Sequence, residues 1–238
     1  MLEIKGVTAG YGHAVVLHEV TMTVPEGKVV VLTGPNGHGK TTLLRALSGL
    51  LPVAQGEITF EGERIDGRSA ANIVGRGLVH IPQGDLLFVD LTVEQNLFMG
   101  AFLKQAWKGR YERIKRVYEL FPKLEERRAQ QSRTLSGGER RMLSLGRGLM
   151  SSAKLLMVDE PGLGLAPVLV QELYATLEKI GRSEATVLIV EETLNNARDI
   201  ADYVYLLDTG RIVHGGTMAE LGEEVLKVTY LGKQGSAP

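Results

Sequence analysis

The stretch Gly34-Pro35-Asn36-Gly37-His38-Gly39-Lys40-Thr41-Thr42 lies between an apolar run, Lys28-Val29-Val30-Val31-Leu32, and the helix-forming Leu43-Leu44-Arg45-Ala46-Leu47. A buried strand therefore hands over to a helix through a glycine-rich turn, which is the setting a phosphate-binding loop requires. Glycines at 34, 37 and 39 let successive N–H groups point into one concavity, where the positive end of the following helix also opens. A polyphosphate fits that cradle, built from Asn36, Gly37, Gly39 and Thr42 around two reactive side chains. Lys40 suits the β- and γ-phosphates as a mobile point charge, and the Thr41 hydroxyl suits Mg²⁺, a cation that takes oxygen ligands.

Composition sets the class around this loop. The chain has 238 residues and 44% hydrophobic content, ordinary for a soluble globular protein of one domain or one domain with an insertion. Its 27 basic and 28 acidic residues leave a formal net charge of -1, which argues against nucleic acid as the main partner. No apolar run approaches the ~18 residues of a membrane span, and Met1-Leu2-Glu3-Ile4-Lys5 lacks a signal-peptide pattern, so a cytosolic protein is expected. The absence of cysteine excludes disulfides, thiol nucleophiles and thiolate metal sites.

In chain order, Leu2 to Val7 and Thr21 to Val24 alternate as half-buried antiparallel strands, separated by the turn-rich Ala9-Gly10-Tyr11-Gly12-His13. Tyr11 in that turn is either a packing aromatic or a ring that stacks on a base. A strand is expected over 56–62 and another over 77–83, the second ending in Gln83, either a polar loop residue or a carbonyl donor to Mg²⁺ or water. From 92 to about 133 the pattern becomes helical, and this segment is read as an inserted helical subdomain dividing a catalytic core of 1–91 and 134–238. Its cations, Lys104, Lys108, Arg110, Arg113, Lys115 and Arg116, read as a solvated helix face, and Trp107 as packing or a partner contact.

Leu135-Ser136-Gly137-Gly138-Glu139 opens a further helix over 140–150, with Ser136 and Glu139 at capping-box spacing. Two glycines exceed what a cap needs and would bare N–H groups, giving a second anion site distinct from the first. Leu155-Leu156-Met157-Val158-Asp159-Glu160-Pro161 reads as an apolar strand ending in two carboxylates. Beside a phosphate loop these divide the work, Asp159 ordering Mg²⁺ and Glu160 polarising the attacking water. A helix over 168–180, a strand over 186–192, a strand and hairpin over 199–213, a helix over 220–231 and a frayed tail over 233–238 complete an α/β chain. The expected core is a mainly parallel sheet with helices on both faces, preceded by the antiparallel strands.

With the loop, Gln83, Leu135-Ser136-Gly137-Gly138-Glu139 and Asp159-Glu160 in this order, the whole chain resembles an ABC transporter ATP-binding subunit, a P-loop NTPase cassette. Glu160-Pro161-Gly162-Leu163-Gly164-Leu165-Ala166-Pro167 and Tyr230-Leu231-Gly232 resemble the LivF branch of branched-chain amino-acid importers. The resemblance implies a Mg²⁺-dependent ATPase on the inner face of the cell membrane, driving transmembrane permease subunits and, indirectly, a solute-binding protein. It also implies pairing with a second cassette, identical or similar, so that each ATP lies between one loop and the other subunit's Ser136-Gly137-Gly138-Glu139. Tyr11 would then stack on adenine, Ser136 and Gly138 would contact the γ-phosphate in trans, and Gln83 would link Mg²⁺ and the attacking water to the helical subdomain. Catalysis would fall to Glu160, Lys40 and Gln83, and the metal to Thr41, Gln83 and Asp159. A nucleotide-gated module that closes on ATP and hydrolyses it slowly is the alternative.

Two positions depart from the family pattern. Ala166 stands where many cassettes have an aspartate, and Glu192 where the family has a histidine and LivF-like chains commonly a glutamine. An ionised Glu192 cannot donate, and ~4 Å from a phosphate charge it costs about 1 kcal/mol in water or ~4 at an effective dielectric near 20. Glu192 is therefore expected to turn away from the γ-phosphate or stay protonated. His38 occupies a position where similar loops have a small residue, and its side chain is expected to be free.

Overall fold

A computed structural model describes residues 1–221. The tail expected over 233–238 and all but the first two residues of the helix expected over 220–231 lie outside them. In chain order, β1 (Leu2–Tyr11) and β2 (Ala14–Val24) pair antiparallel. β3 (Val29–Thr33) feeds the loop and α1 (Lys40–Leu47), and β4 (Val53–Phe60) returns to pair with β1. Short β5 (Glu63–Arg64) and α2 (Ala70–Gly75) lead to β6 (Leu78–Ile81). Then come α3 (Val93–Gly100), α4 (Lys104–Lys108), α5 (Arg110–Leu120), α6 (Pro122–Glu126) and α7 (Gly137–Leu149). β7 (Leu155–Asp159), α8 (Pro167–Ser183), β8 (Thr186–Glu191), β9 (Tyr203–Asp208) and β10 (Arg211–Gly216) follow.

The strands form two sheets, a six-stranded one in the order β10-β9-β3-β8-β7-β6 and an antiparallel one in the order β2-β1-β4-β5. β3 lies between β8 and β9, parallel to both, and every residue of β3 is buried, which is why it reads as an unbroken apolar run. Its side chains alternate between two cores. Val29 and Val31 face Leu173, Leu177 and Ile180 of α8 and Leu143 and Leu145 of α7. Val30 and Leu32 face Leu43, Leu44 and Leu47 of α1, over which Leu2, Ile4, Ile58 and Phe60 close the antiparallel sheet. Burying each such side chain contributes about 1.5–3 kcal/mol.

Helices thus lie on both faces of the six-stranded sheet as expected, and α1 is itself roofed by β1 and β4. The alternation in β1, which buries Leu2, Ile4, Val7 and Ala9, is the physical cause. The expected turn at 9–13 shrinks to Gly12 and His13, with Ala9, Gly10 and Tyr11 still paired. Gly10 serves close approach rather than turning, since a Cβ there would lie 2.0 Å from the Ala14 carbonyl oxygen. The strand expected from 199 begins at Tyr203 after a short 3-10 turn, and β5 and α2 were too short to show a period in the sequence.

Thr92 opens α3 with a capping box, its hydroxyl accepting from Gln95 N at 3.2 Å and Gln95 Oε1 accepting from Thr92 N at 2.9 Å. Val93, Leu97, Ile114, Val117 and Leu124 of α3, α5 and α6 share one core with Met142, Leu143 and Leu145 of α7. Asn96, fully buried, pins the chain after Gln83: its Oδ1 accepts from Phe88 N and its Nδ2 donates to Phe88 O, both at 3.0 Å.

Candidate functional site

β3 stops at Thr33 and the chain doubles back to Gly39, which begins α1 in the left-handed region with φ 104. No side chain caps this helix, so its first N–H groups open toward the loop. Lys40 is 5% exposed, and its Nζ donates to Gly34 O at 2.6 Å, Pro35 O at 3.1 Å and Asn36 Oδ1 at 3.4 Å. Burial lowers the Lys40 pKa, opposed by the charges of Glu160, Glu192, Asp159 and Glu191.

The end of β7 meets α1 at one hydrogen bond. Thr41 Oγ1 donates to Asp159 Oδ2 at 3.0 Å, joining residues 118 positions apart. Burial raises the Asp159 pKa against the pull of Thr41, Lys40 and Arg141. One residue on, Glu160 takes φ 44, a conformation rare for a residue with a side chain, and its N–H donates to Val190 O at 2.8 Å. Gln83, beyond β6, donates from Nε2 to Glu160 Oε2 at 3.2 Å, leaving its own carbonyl oxygen as an acceptor. Burial raises the Glu160 pKa, helped by Asp159 and Glu192 and opposed by Lys40 and Arg141.

Asn36, Gly37, Gly39, Lys40, Thr41 and Thr42 border one cleft of about 330 Å³ with Gln83, Glu160, Leu163 and Glu192. A second cleft of the same volume shares Gln83, Glu160 and Leu163 and extends to Gly137, Arg140 and Arg141. Ser136, Gly138 and Glu139 border neither. Ser136 Oγ accepts from Glu139 N at 3.3 Å and Glu139 Oε2 accepts from Ser136 N at 2.8 Å, so the capping box forms. Burial works against ionised Glu139, but these bonds with Ser136 and the charge of Arg127, 2.7 Å away, hold its pKa below the ordinary value. Gly138 is not bared as expected: it is buried, and a Cβ there would meet Leu169 Cδ1 at 2.8 Å. Its glycine lets α8 approach α7. Tyr11 is 44% exposed and its hydroxyl accepts from Arg45 Nη1 at 3.1 Å.

Glu192 is exposed and borders the loop cleft. One expectation changes. His38 is not free, because its Nδ1 lies 2.8 Å from Asp208 Oδ1 and 3.1 Å from Thr209 N, while Gly210 N donates to His38 O at 3.0 Å. The loop is thus tied to the β9–β10 turn.

Two residues to which the sequence assigned no role hold the site from behind. Arg141, 4% exposed on α7, donates from Nη2 to Asp159 O at 2.7 Å, from Nε to Pro161 O at 3.1 Å and from Nη1 to Pro82 O at 3.2 Å. A cation among the buried positions 138, 141, 145 and 148 of one helical stripe was the available signal. Glu191, 8% exposed, accepts from the Tyr174 hydroxyl and the Gly162 N–H, and burial followed by repulsion from Glu160 pushes its pKa up to about 8.

A family profile described as ABC transporter matches residues 17–162. The chain is 42% identical to BraG, a high-affinity branched-chain amino acid transport ATP-binding protein of Pseudomonas aeruginosa, over 98% of this chain and 100% of that one. It is 34% identical to the probable branched-chain amino acid transport ATP-binding protein LivF of Archaeoglobus fulgidus, over 94% of each. Among solved structures, the ADP conformation of an ATP-binding cassette of an ABC transporter superimposes with a TM-score of 0.83 at 26% identity, covering 98% of this chain and 96% of that one.

Proposed function

Because the chain belongs to the ABC transporter family of ATP-binding proteins, we propose that it hydrolyses ATP to drive a membrane importer of branched-chain or related amino acids. The observation that carries this reading is the hydrogen bond from Gln83 to Glu160 on the rim of the phosphate loop. In this reading the pair would offer a carboxylate and an amide carbonyl to the water that attacks the γ-phosphate.

In this reading the N–H groups from Asn36 to Thr42 bind the phosphates, and Lys40 leaves its loop carbonyls to neutralise the β- and γ-oxygens. Glu160 takes the proton of the attacking water, whose position Gln83 fixes. Thr41 and Asp159 fit Mg²⁺: a hydroxyl and a carboxylate already in contact present the hard oxygen ligands it prefers. Among the described residues no group of three or more His, Asp or Glu could hold a metal alone, so the ion's shell would be completed by phosphate oxygens and water. When bound, the cation would neutralise charge on the transferring phosphoryl group.

Ser136 and Gly137 would act on a second copy or a similar chain. At the N-terminal end of α7 Ser136 is exposed and Gly137 half-buried, and Ser136 lies off the loop cleft of its own chain. Residues 92–133 form the inserted helical subdomain in this account, and 1–91 with 134–238 the catalytic core. Permease subunits would hold the chain at the inner face of the membrane, since no helix of the described residues is long and apolar enough to cross one. Their docking segment would enter a cleft of about 710 Å³ beside Gln83, edged by the exposed Leu50, Leu86, Phe88, Met99 and Phe102. ATP turnover by the purified chain, measured with and without Mg²⁺ and against protein concentration, tests the proposal. Turnover that needs Mg²⁺ and rises faster than linearly with protein supports it, and ATP binding without turnover sinks it in favour of the gated module.

A further inference from the structure

Between 104 and 116 the chain carries six cations, Lys104, Lys108, Arg110, Arg113, Lys115 and Arg116, against one carboxylate, Glu112, in a protein of net charge -1. Among the described residues none of the six forms an ion pair. Positive charge is thus gathered here without internal compensation, on α4 and the start of α5.

Aromatic rings are built into the same surface. Phe98 of α3 holds Trp107 edge-on at 6.3 Å and Tyr111 at 5.7 Å between centroids. The Arg110 guanidinium lies 4.0 Å from the Trp107 ring centre and 4.3 Å from that of Tyr111, clamped between the two. Trp107 remains 47% and Tyr111 60% exposed. None of Lys104, Trp107, Lys108, Arg110 or Tyr111 borders the apolar cleft assigned to the permease, although the neighbouring Met99 and Phe102 do. The patch is therefore a separate surface alongside that cleft.

Its chemistry selects one occupant. Arg110 covers one face of each ring, which leaves a base less ring to stack on, and a net charge of -1 gives a nucleic acid no wider basic field. Rigid amphipathic rings presented between lysines match a phospholipid interface, where Trp and Tyr sit at headgroup depth and Lys and Arg meet phosphate. We propose that this patch contacts anionic lipid headgroups directly, next to the permease-docking cleft. The inference relies on the transporter reading only for the nearness of a membrane, and its test needs neither permease nor nucleotide.

Trp107 is the only tryptophan in the chain, so its emission reports on this surface alone. The full chain is mixed with vesicles of phosphatidylcholine, or of equal parts phosphatidylcholine and phosphatidylglycerol. Emission is followed together with co-sedimentation. Expected are a blue shift and co-sedimentation with the anionic vesicles only, both lost in ~1 M salt, where screening acts within about 3 Å. The exposed pair Lys104→Glu and Lys108→Glu should weaken vesicle binding at least tenfold with the melting temperature unchanged. An unmoved spectrum, equal binding to neutral vesicles, or full binding by the double variant would overturn the proposal. A patch that instead serves an acidic protein segment or a nucleic acid would give the first of these.

Discussion

Arg141 Nη2 donates to the carbonyl oxygen of Asp159 at 2.7 Å, fastening the second turn of α7 to the strand end that carries both site carboxylates. The same guanidinium holds Pro82 and Pro161, so the chain on either side of Glu160 and the residue before Gln83 share one anchor. One guanidinium thus ties the backbone beside Glu160 and Gln83 to α7.

Arg141→Gln should leave at least two of those carbonyls without a partner. At about 1–3 kcal/mol for each buried unsatisfied group, a loss near 2 kcal/mol lowers the melting temperature by roughly 4–8 °C. ATP turnover should fall about tenfold or more while ATP affinity changes little. Arg141→Lys, which keeps the charge but not the fork, should recover only part of each. Unchanged turnover in Arg141→Gln would show that the anchor is structural alone.

Glu160→Gln should bind ATP and lose turnover by about 10²–10⁴, the usual contribution of a positioned general base. Glu192→Gln removes a negative charge from the same cleft and should leave turnover equal or higher. Steady-state ATPase assays on the pair decide the roles. If Glu192→Gln were the silent enzyme and Glu160→Gln the active one, the two carboxylates have been interchanged.

Glu191 predicts how stability depends on pH. Its pKa is raised from 4.5 to about 8 in the fold, so between those values the folded chain keeps a proton that the unfolded chain releases. Stability from this group is complete below pH 4.5 and is lost as pH rises toward 8, by up to about 1.4 kcal/mol per pH unit. Asp159 and Glu160, also raised, act with the same sign. Melting temperatures taken from pH 5 to 8.5 should fall more steeply for the wild type than for Glu191→Gln, and parallel curves would refute the assignment.

His38→Ala removes the contact with Asp208 and Thr209 while sparing the loop's N–H groups. A cost of about 1 kcal/mol, or roughly 2–4 °C in melting temperature, is expected, with ATP affinity within about twofold of wild type. Isothermal titration separates the two effects. A tenfold loss of affinity would mean that the β9–β10 turn sets the loop's shape.

What the sequence determined by itself was local. The run 28–32 followed by spaced glycines, Lys40 and Thr41 specified a strand, a turn and a helix whose N–H groups open together, because those residue types admit few other backbones. The capping box at Ser136 was readable for the same reason: it is complete within four residues. Tertiary structure alone decided what met across distance. It brought Thr41 to Asp159, Gln83 to Glu160 and Arg141 to three carbonyls, through the parallel order of β6, β7, β8 and β3. It also reassigned residues whose local reading was plausible: Gly138 makes room for Leu169, Gly10 for Ala14, and His38 grips Asp208. Backbone preference is written in neighbouring residues, whereas the fit of one side chain against another depends on packing, which only the folded chain contains.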